Sequence, residues 1–232
     1  MRRIITLSGA YAGVLALIIL ISYCFSESIS VAVGIAPPNR KTCFIIDAGH
    51  GGEDGGAVSC SGTKESEFNL NIALRLNDLL HLLGYKTIMI RTTDISVYTE
   101  GVTLAAKKFS DLKERLRVVN STENAVLISI HQNYFHDSQY SGAQVFYGKA
   151  PESQILAKNL QRSLIFTLGQ QSNRGIKAAD SIYLMNKAQC TAVLVECGFL
   201  SNQHEEYLLK QAYYQKRIVS AIATELAKYA NT

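Results

Sequence analysis

Five short runs of apolar and β-branched residues recur along the chain, and segments with helical periodicity separate most of them. Strands that alternate with helices build open sheets that are largely parallel and covered on both faces. We therefore predict a single α/β domain with a largely parallel, twisted sheet between two layers of helices. The predicted strands cover residues 43–47, 87–91, 126–131, 143–147 and 192–196.

The clearest helical segment covers residues 68–83, where apolar residues recur every three or four positions and Gly84 follows as a stop signal. Open α/β sheets carry their functional sites where loops leave the carboxyl ends of the strands. Polar residues that end the predicted strands are therefore the first candidates for function. Further helices are predicted over residues 112–119, 152–168 and 205–229.

The N-terminus carries a segment that can span a bilayer. Arg2 and Arg3 precede an uncharged, mostly apolar run over residues 4–26, and about 20 such residues suffice to cross the hydrocarbon core. The positions after this run offer only imperfect cleavage sites, so we favour a signal anchor over a cleaved signal peptide. In both cases the paired arginines stay cytoplasmic and the remainder is exported. We assign residues 1–38 to this segment and its linker, and residues 39–232 to the folded domain.

Composition and charge narrow the class of protein. The chain is 47% hydrophobic and 18% charged with only 3 prolines, which is typical of a globular enzyme. A net charge of +4 is too small to indicate nucleic-acid binding. The 5 cysteines form no CxxC pair and no even ladder, so we interpret Cys43 and Cys197, which lie in strand-like runs, as buried small hydrophobic residues.

Three of the predicted strands lead into residues that can bind a metal or carry a proton. The first enters the glycine-rich loop DAGHGGEDGG around His50, the third runs into His131, and the fifth ends in Glu196. A catalytic zinc ion takes imidazoles and carboxylates in three positions and leaves the fourth to water. His50 and His131 supply two imidazoles, so a carboxylate ligand must lie nearby.

Four carboxylates are available for that third position, and spacing alone does not choose among them. Glu53 and Asp54 lie within the glycine loop, where they are also ordinary turn residues. Glu67 fits a solvated charge in the first turn of the helix. Glu65 lies at the helix entrance, from where a side chain can face the loop. The exposed settings of His81, His136 and His204 indicate ordinary surface histidines.

Six segments resemble the zinc-dependent N-acetylmuramoyl-L-alanine amidases, namely IIDAGHGGEDGGA, KESEFNLNIALRLNDLL, RTTD, LKERLRVVN, LISIHQN and VLVECGFLSN. The resemblance extends from about residue 43 to the C-terminus. It implies that His50, Glu65 and His131 bind Zn²⁺ and that Glu196 assists proton transfer. Arg91, Arg115, Asn120 and Asn133 also match the family pattern, and no role in the site is assigned to them here.

Residues 98–101 and 107–112 are most similar to the branch of the family with which endospore formers make cortex peptidoglycan. The resemblance thus implies an amidase that cleaves between the muramic acid lactyl group and L-alanine, as a step towards muramic-δ-lactam. Its substrate would be glycan strands with stem peptides, and its location the forespore intermembrane space. A catalytically silent, membrane-anchored wall-binding module and a zinc peptidase of stem peptides stay open as alternatives. An activating protein partner is also compatible with the sequence.

Overall fold

The computed structural model describes residues 41–170 and 173–232, which belong to one compact α/β unit. The predicted membrane segment over residues 4–26 lies outside the described residues. No helix in the described ranges is long and apolar enough to cross a bilayer. The strands are β1 (Cys43–Ala48), β2 (Lys86–Met89), β3 (Ala125–Asn133), β4 (Gln144–Tyr147), β5 (Lys177–Ala178) and β6 (Thr191–Phe199).

Helices cover both faces of the sheet, as predicted. They are α1 (Glu65–Leu82), α2 (Leu104–Ser121), α3 (Pro151–Leu168), α4 (Tyr183–Lys187), α5 (Gln203–Leu209) and α6 (Ala212–Ala230).

The six strands lie in the order β2-β1-β3-β6-β4-β5, and the sheet is mixed. All neighbouring pairs are parallel except β4 and β6, which are antiparallel. Two consecutive strands can run parallel only if a crossover connection returns the chain to the end of the sheet where the first strand begins. No crossover helix lies between β3 and β4, so β4 runs in the opposite direction to β3 and to its neighbour β6. The prediction of a largely parallel sheet holds for the strands β1, β2, β3 and β6, where the candidate residues lie.

Alternating residues divide the core between the two faces of the sheet. Phe44, Ile128 and Val195 face the larger core, which α1, α3 and α6 cover. Ile45 and Leu127 face a smaller core under α2 and the short α4. Because α4 covers only a short stretch, the second face leaves room for a cavity at the carboxyl ends of the strands.

Several predicted boundaries differ from the structure. The segment predicted as one helix over residues 205–229 is two helices, α5 and α6, which separate at Lys210 and Gln211 although neither proline nor glycine marks the break. Gln215 in α6 donates a 2.8 Å hydrogen bond to the carbonyl of Leu209, the last residue of α5, and so satisfies one of its carbonyls. The short β5 and α4 were not predicted, because segments of two and five residues are too short for a periodic pattern.

The two strands that carry His131 and Glu196 run further than predicted. His131 lies inside β3, which continues to Asn133, and Glu196 lies inside β6, which continues to Phe199. The pairing of these strands shifts register between His131 and Asn133. Cys43 and Cys197 are buried free thiols, as interpreted from the sequence.

Candidate active site

A cavity of about 390 Å³ lies at the carboxyl ends of β1, β3 and β6, under α2 and α4. His50, His131 and Glu196 line it together with an apolar wall that includes Leu112 and Leu184. A larger groove of about 610 Å³ runs between α3 and α6, but its described lining contains no histidine or cysteine. The chemistry-bearing residues therefore converge on the smaller cavity.

The glycine loop after β1 turns the imidazole of His50 towards α1. His50 itself has a left-handed backbone conformation, with φ of 60°, which is uncommon for a residue with a side chain. Its Nδ1 lies 3.0 Å from Asp54 Oδ2, and its Nε2 lies 3.2 Å from Glu65 Oε2. A carboxylate on one ring nitrogen fixes the tautomer and the direction of the other nitrogen.

Glu65 is the first residue of α1 and is buried, with 4% of its surface exposed. Burying an ionised carboxylate is costly unless hydrogen bonds surround it. Here each oxygen has several partners, so the carboxylate is held in one orientation. Oε1 contacts His131 Nδ1 at 2.9 Å, Gln132 N at 3.1 Å and Asn69 Nδ2 at 3.2 Å, and Oε2 contacts Ala57 N at 3.1 Å and His50 Nε2 at 3.2 Å.

His50, Glu65 and His131 thus bring two imidazoles and one carboxylate to a single point. One ligating atom from each lies within 4.8 Å of the others, and the centroids of the two imidazole rings are 5.0 Å apart. The loop backbone passes so close to these side chains that a Cβ atom at either of two glycines would collide with them. A Cβ at Gly49 would lie 2.2 Å from His131 Nε2, and a Cβ at Gly56 would lie 2.6 Å from Glu65 Oε2. The glycines of the loop are therefore required by close approach to these side chains.

The electrostatics of the cluster favour a cation at that point. Burial alone would lower the pKa of His50, yet the contacts with Asp54 and Glu65 raise this pKa to about 9. Burial would raise the pKa of Glu65, but the two histidines hold it far below its usual range. The carboxylates are therefore ionised at neutral pH, and the cluster attracts either a proton or a metal ion.

Glu196 faces the same cavity from β6, where it is the register partner of His131 in β3. Its Oε2 is buried and accepts no hydrogen bond within the described structure. Burial raises the pKa of Glu196 to about 7; His131 opposes this shift and Glu65 adds to it. A carboxylate that has one buried oxygen without a partner and a pKa near neutral pH is a typical proton-transfer group.

The structure separates the four carboxylates that the sequence left open. Glu65 lies between both histidines, whereas Asp54 contacts the far nitrogen of His50. Glu53 pairs with Lys107 at 2.7 Å, and Glu67 is exposed. Within the described ranges, the cluster of His50, Glu65 and His131 is the one group of this kind that could hold a metal ion. His81, His136 and His204 are exposed, as predicted.

Sequence reasoning missed the residues that support this cluster. Asp54 is one of the four carboxylates that the sequence offers as a ligand, but its position on His50 Nδ1 depends on the tight turn in which Gly51 and Asp54 exchange backbone hydrogen bonds. Asn69 donates to Glu65 and to the carbonyl of Gly49, and Gln132 donates to Asn69. The signal that could have pointed to Asn69 is its position one helical turn after Glu65.

The sequence profile of the N-acetylmuramoyl-L-alanine amidase family matches residues 44–228, a range that contains every residue of the site. The chain belongs to this amidase family. The predicted family and enzymatic class are thereby confirmed.

Two relatives place the amidase more closely within the family. It is 35% identical over 231 residues to the germination-specific N-acetylmuramoyl-L-alanine amidase of Bacillus subtilis (strain 168), a match that covers 99% of this chain and 96% of the relative. It is 39% identical to the CwlD amidase from Clostridioides difficile, solved in complex with the GerS lipoprotein, with a TM-score of 0.78 over 82% of this chain and 98% of that chain. These two relatives confirm the predicted placement of the chain within the family.

A more distant solved structure has the same fold. The amidase is 28% identical to the catalytic domain of CwlV from Bacillus (Paenibacillus) polymyxa, with a TM-score of 0.70 over 82% of this chain and 98% of that chain.

Proposed function

We propose that this amidase is zinc-dependent and cleaves the bond between the muramic acid lactyl group and L-alanine in peptidoglycan. His50, Glu65 and His131 are the proposed zinc ligands, and Glu196 is the proposed proton-transfer residue. The observation that carries the proposal is the convergence of two imidazoles and a carboxylate beside Glu196, whose buried Oε2 has no hydrogen-bond partner.

The donor set fits zinc better than magnesium or calcium. Imidazole nitrogens suit zinc, whereas magnesium and calcium prefer ligands that are all oxygen. Three protein ligands leave a fourth position, as catalytic zinc sites require. Asp54 supplies the outer carboxylate that commonly orients a zinc-binding imidazole. When bound, zinc polarises the scissile carbonyl and makes hydroxide available near neutral pH.

Glu196 and Glu65 are suited to different tasks. Glu65 is held ionised by both histidines and by hydrogen bonds to each oxygen, so it does not exchange a proton near neutral pH. Glu196 has a pKa raised to about 7 and lines the cavity. It can therefore take a proton from the attacking water and deliver it to the departing amine of L-alanine.

The same feature argues against a catalytically silent wall-binding module. A buried carboxylate oxygen with no hydrogen-bond donor costs stability, and a module that only binds the wall has no use for it. Residues that reduce the stability of the fold and make no structural contact in exchange are typical of catalytic sites. The partnerless oxygen of Glu196 therefore favours an active enzyme.

A digest of purified peptidoglycan by the full-length protein tests the activity and the metal together. We expect mass spectrometry to detect stem peptides with free L-alanine amino ends, and we expect these products to vanish with a chelator and to return with added zinc. A zinc peptidase would instead cut within the stem peptide. Cleavage that continues at full rate in a chelator would contradict the zinc site.

We further propose a role in spore cortex modification that leads to muramic-δ-lactam, in the forespore intermembrane space. The similarity to a germination-specific amidase supports this role. Residues 1–38 would tether or export residues 39–232, and the complex of CwlD with a lipoprotein supports a protein partner for this amidase too.

Expression in an endospore former that lacks its own cortex amidase tests the role. We expect wild-type protein, but not Glu196→Gln, to restore muramic-δ-lactam in the cortex. Membrane fractionation of the same cells tests the tether, since a protein that appears only in the soluble fraction would indicate a cleaved signal peptide.

A further inference from the structure

Two buried arginines outside the proposed ligand set contact the loop that carries His50. The carbonyl of Ala48 accepts hydrogen bonds from Arg91 Nε at 2.8 Å and from Arg115 Nη1 at 2.9 Å. The carbonyl of Gly49 accepts from Arg91 Nη2 at 3.0 Å, and that of His50 from Arg115 Nη2 at 2.8 Å. The carbonyls of three successive residues therefore accept hydrogen bonds from Arg91 or Arg115, and each of these arginines is only 2% exposed.

Arg91 also joins this loop to the helix that carries Glu65. The same Nη2 that donates to Gly49 donates to the carbonyl of Ser66 at 2.9 Å, while Nη1 donates to that of Thr93 at 3.0 Å. Gly49 precedes His50, and Ser66 follows Glu65. One nitrogen therefore sets the spacing between the segments that carry two proposed ligands.

Arg115 joins the loop to the strand that carries His131. It forms a buried ion pair with Asp47, and its Nε contacts Asp111 Oδ2 at 2.5 Å. The other oxygen of Asp47 accepts a 2.6 Å hydrogen bond from Ser129, two residues before His131 in β3. Asp47 and Asp111 thus balance the buried charge of Arg115. Through the contact between Asp47 and Ser129, Arg115 is also connected to β3, the strand that carries His131.

The conformation of the loop explains why such contacts are needed. His50 has the left-handed conformation that L-residues rarely adopt and that persists only where the surroundings impose it. Buried carbonyls need hydrogen-bond donors, and the guanidinium fork supplies several in fixed directions. Lysine keeps the charge but has its donors on a single nitrogen, so it cannot reach the same carbonyls together.

We propose that Arg91 and Arg115 are positioning residues that hold His50, Glu65 and His131 in a metal-binding arrangement before the metal arrives. The inference rests on the proposed metal site and adds to it that metal affinity depends on these two guanidinium groups. Arg115 lines the cavity and Arg91 does not, but neither belongs to the cluster of ligating residues, so the proposed effect on metal binding acts through the positions of the ligands.

Zinc titrations of the full-length protein against a chromogenic chelator test this dependence without any activity measurement. We expect Arg91→Lys and Arg115→Lys to bind zinc about 10- to 100-fold more weakly, the usual effect of losing an outer contact of a metal ligand. Arg117→Lys is the matched control, because Arg117 lies two residues from Arg115 in α2 and its side chain is 66% exposed. We expect its zinc affinity to equal that of the wild-type protein.

Unfolding of the metal-free proteins separates positioning from general stability. The proposal requires that metal-free Arg91→Lys and Arg115→Lys still unfold cooperatively, with the zinc-induced rise in the unfolding midpoint reduced. It is overturned if both variants bind zinc as tightly as wild type, or if both are already unfolded without metal. Wild-type protein that binds no zinc would contradict the proposed function instead, so the two failures are distinguishable.

Discussion

Glu65 and Glu196 are the two carboxylates of the site, and their surroundings are opposite. Both oxygens of Glu65 are held by imidazoles and amide donors, and its pKa lies far below the usual range although burial opposes this. Glu196 has one oxygen without a hydrogen-bond partner, and burial raises its pKa to about 7. The same chemical group is therefore fixed in charge and position on one side of the cavity and left free to change charge on the other.

The difference shows how one fold provides both a ligand and an acid–base group. A metal ligand must be ionised and oriented in advance, which hydrogen bonds to the charged form achieve. A proton-transfer group must exchange its proton near the working pH, which requires burial without stabilising donors. The assignment of Glu65 as a ligand and of Glu196 as the proton-transfer group can be tested by replacing each with glutamine and comparing metal binding with turnover.

Glu65→Gln should have the largest effect, the loss of both metal and activity. The amide would remove the charge between two imidazoles and would set an NH₂ group against the backbone N–H of Ala57 or of Gln132. Glu67→Gln is the matched control, since Glu67 is exposed in the same helical turn. Zinc content and amidase rate check both variants. If Glu65→Gln kept its zinc while Glu67→Gln lost it, the ligand assignment would be wrong.

Glu196→Gln should keep the metal and lose turnover. A positioned acid–base group contributes about 10²- to 10⁴-fold to the rate, so we expect the rate constant for muropeptide cleavage to fall by a factor in that range. Glu196 is absent from the cluster of ligating atoms, so zinc content should match that of the wild-type protein. An unchanged rate would remove Glu196 from the mechanism, and a loss of zinc would show that it supports the ligands instead.

The contrast between the carboxylates was only partly predictable from the sequence. Strand periodicity pointed to His50, His131 and Glu196, because the carboxyl ends of parallel strands meet at one edge. Choosing Glu65 over its neighbours needed family resemblance, since the glycine loop can direct several carboxylates inwards. The loop conformation depends on contacts such as those from Arg115, which lies 65 residues away from His50 in the chain. No local pattern encodes such a contact.

The fold shows the same division. The long helix α3 was predicted to within a residue, and Gly169 ends it in the left-handed conformation, as glycine does after many helices. The short α4, which forms part of the cavity wall through Leu184 and Met185, was not predicted. Its place depends on packing under the sheet, and five residues carry too little periodicity to reveal it.

Asp54→Ala should have an intermediate effect on zinc affinity, and it tests whether Asp54 orients the imidazole of His50. The variant removes the acceptor on Nδ1 of His50 and frees the ring to rotate. Loss of such an outer carboxylate typically weakens metal binding about 10- to 100-fold. Glu53→Ala is the control, because the neighbouring Glu53 pairs with Lys107 at the surface. Equal zinc affinities in the two variants would show that Asp54 does not orient the ring.

The last expected effect is on stability, and it tests in the metal-free protein whether Glu196 is protonated in the folded state. The pKa of Glu196 is about 7 in the folded state against 4.5 for an ordinary glutamate, so between these pH values the folded state binds more protons than the unfolded state. Stability conferred by the neutral carboxyl is complete below pH 4.5 and is lost as pH rises towards 7. Glu196→Gln carries no such proton, so its unfolding midpoint relative to the wild-type protein should rise by several degrees over this window and stay constant above it. Thermal unfolding of both proteins in a chelator across the window measures the difference. A difference that does not change with pH would mean that Glu196 is ionised in the folded protein, and the contrast with Glu65 would then vanish.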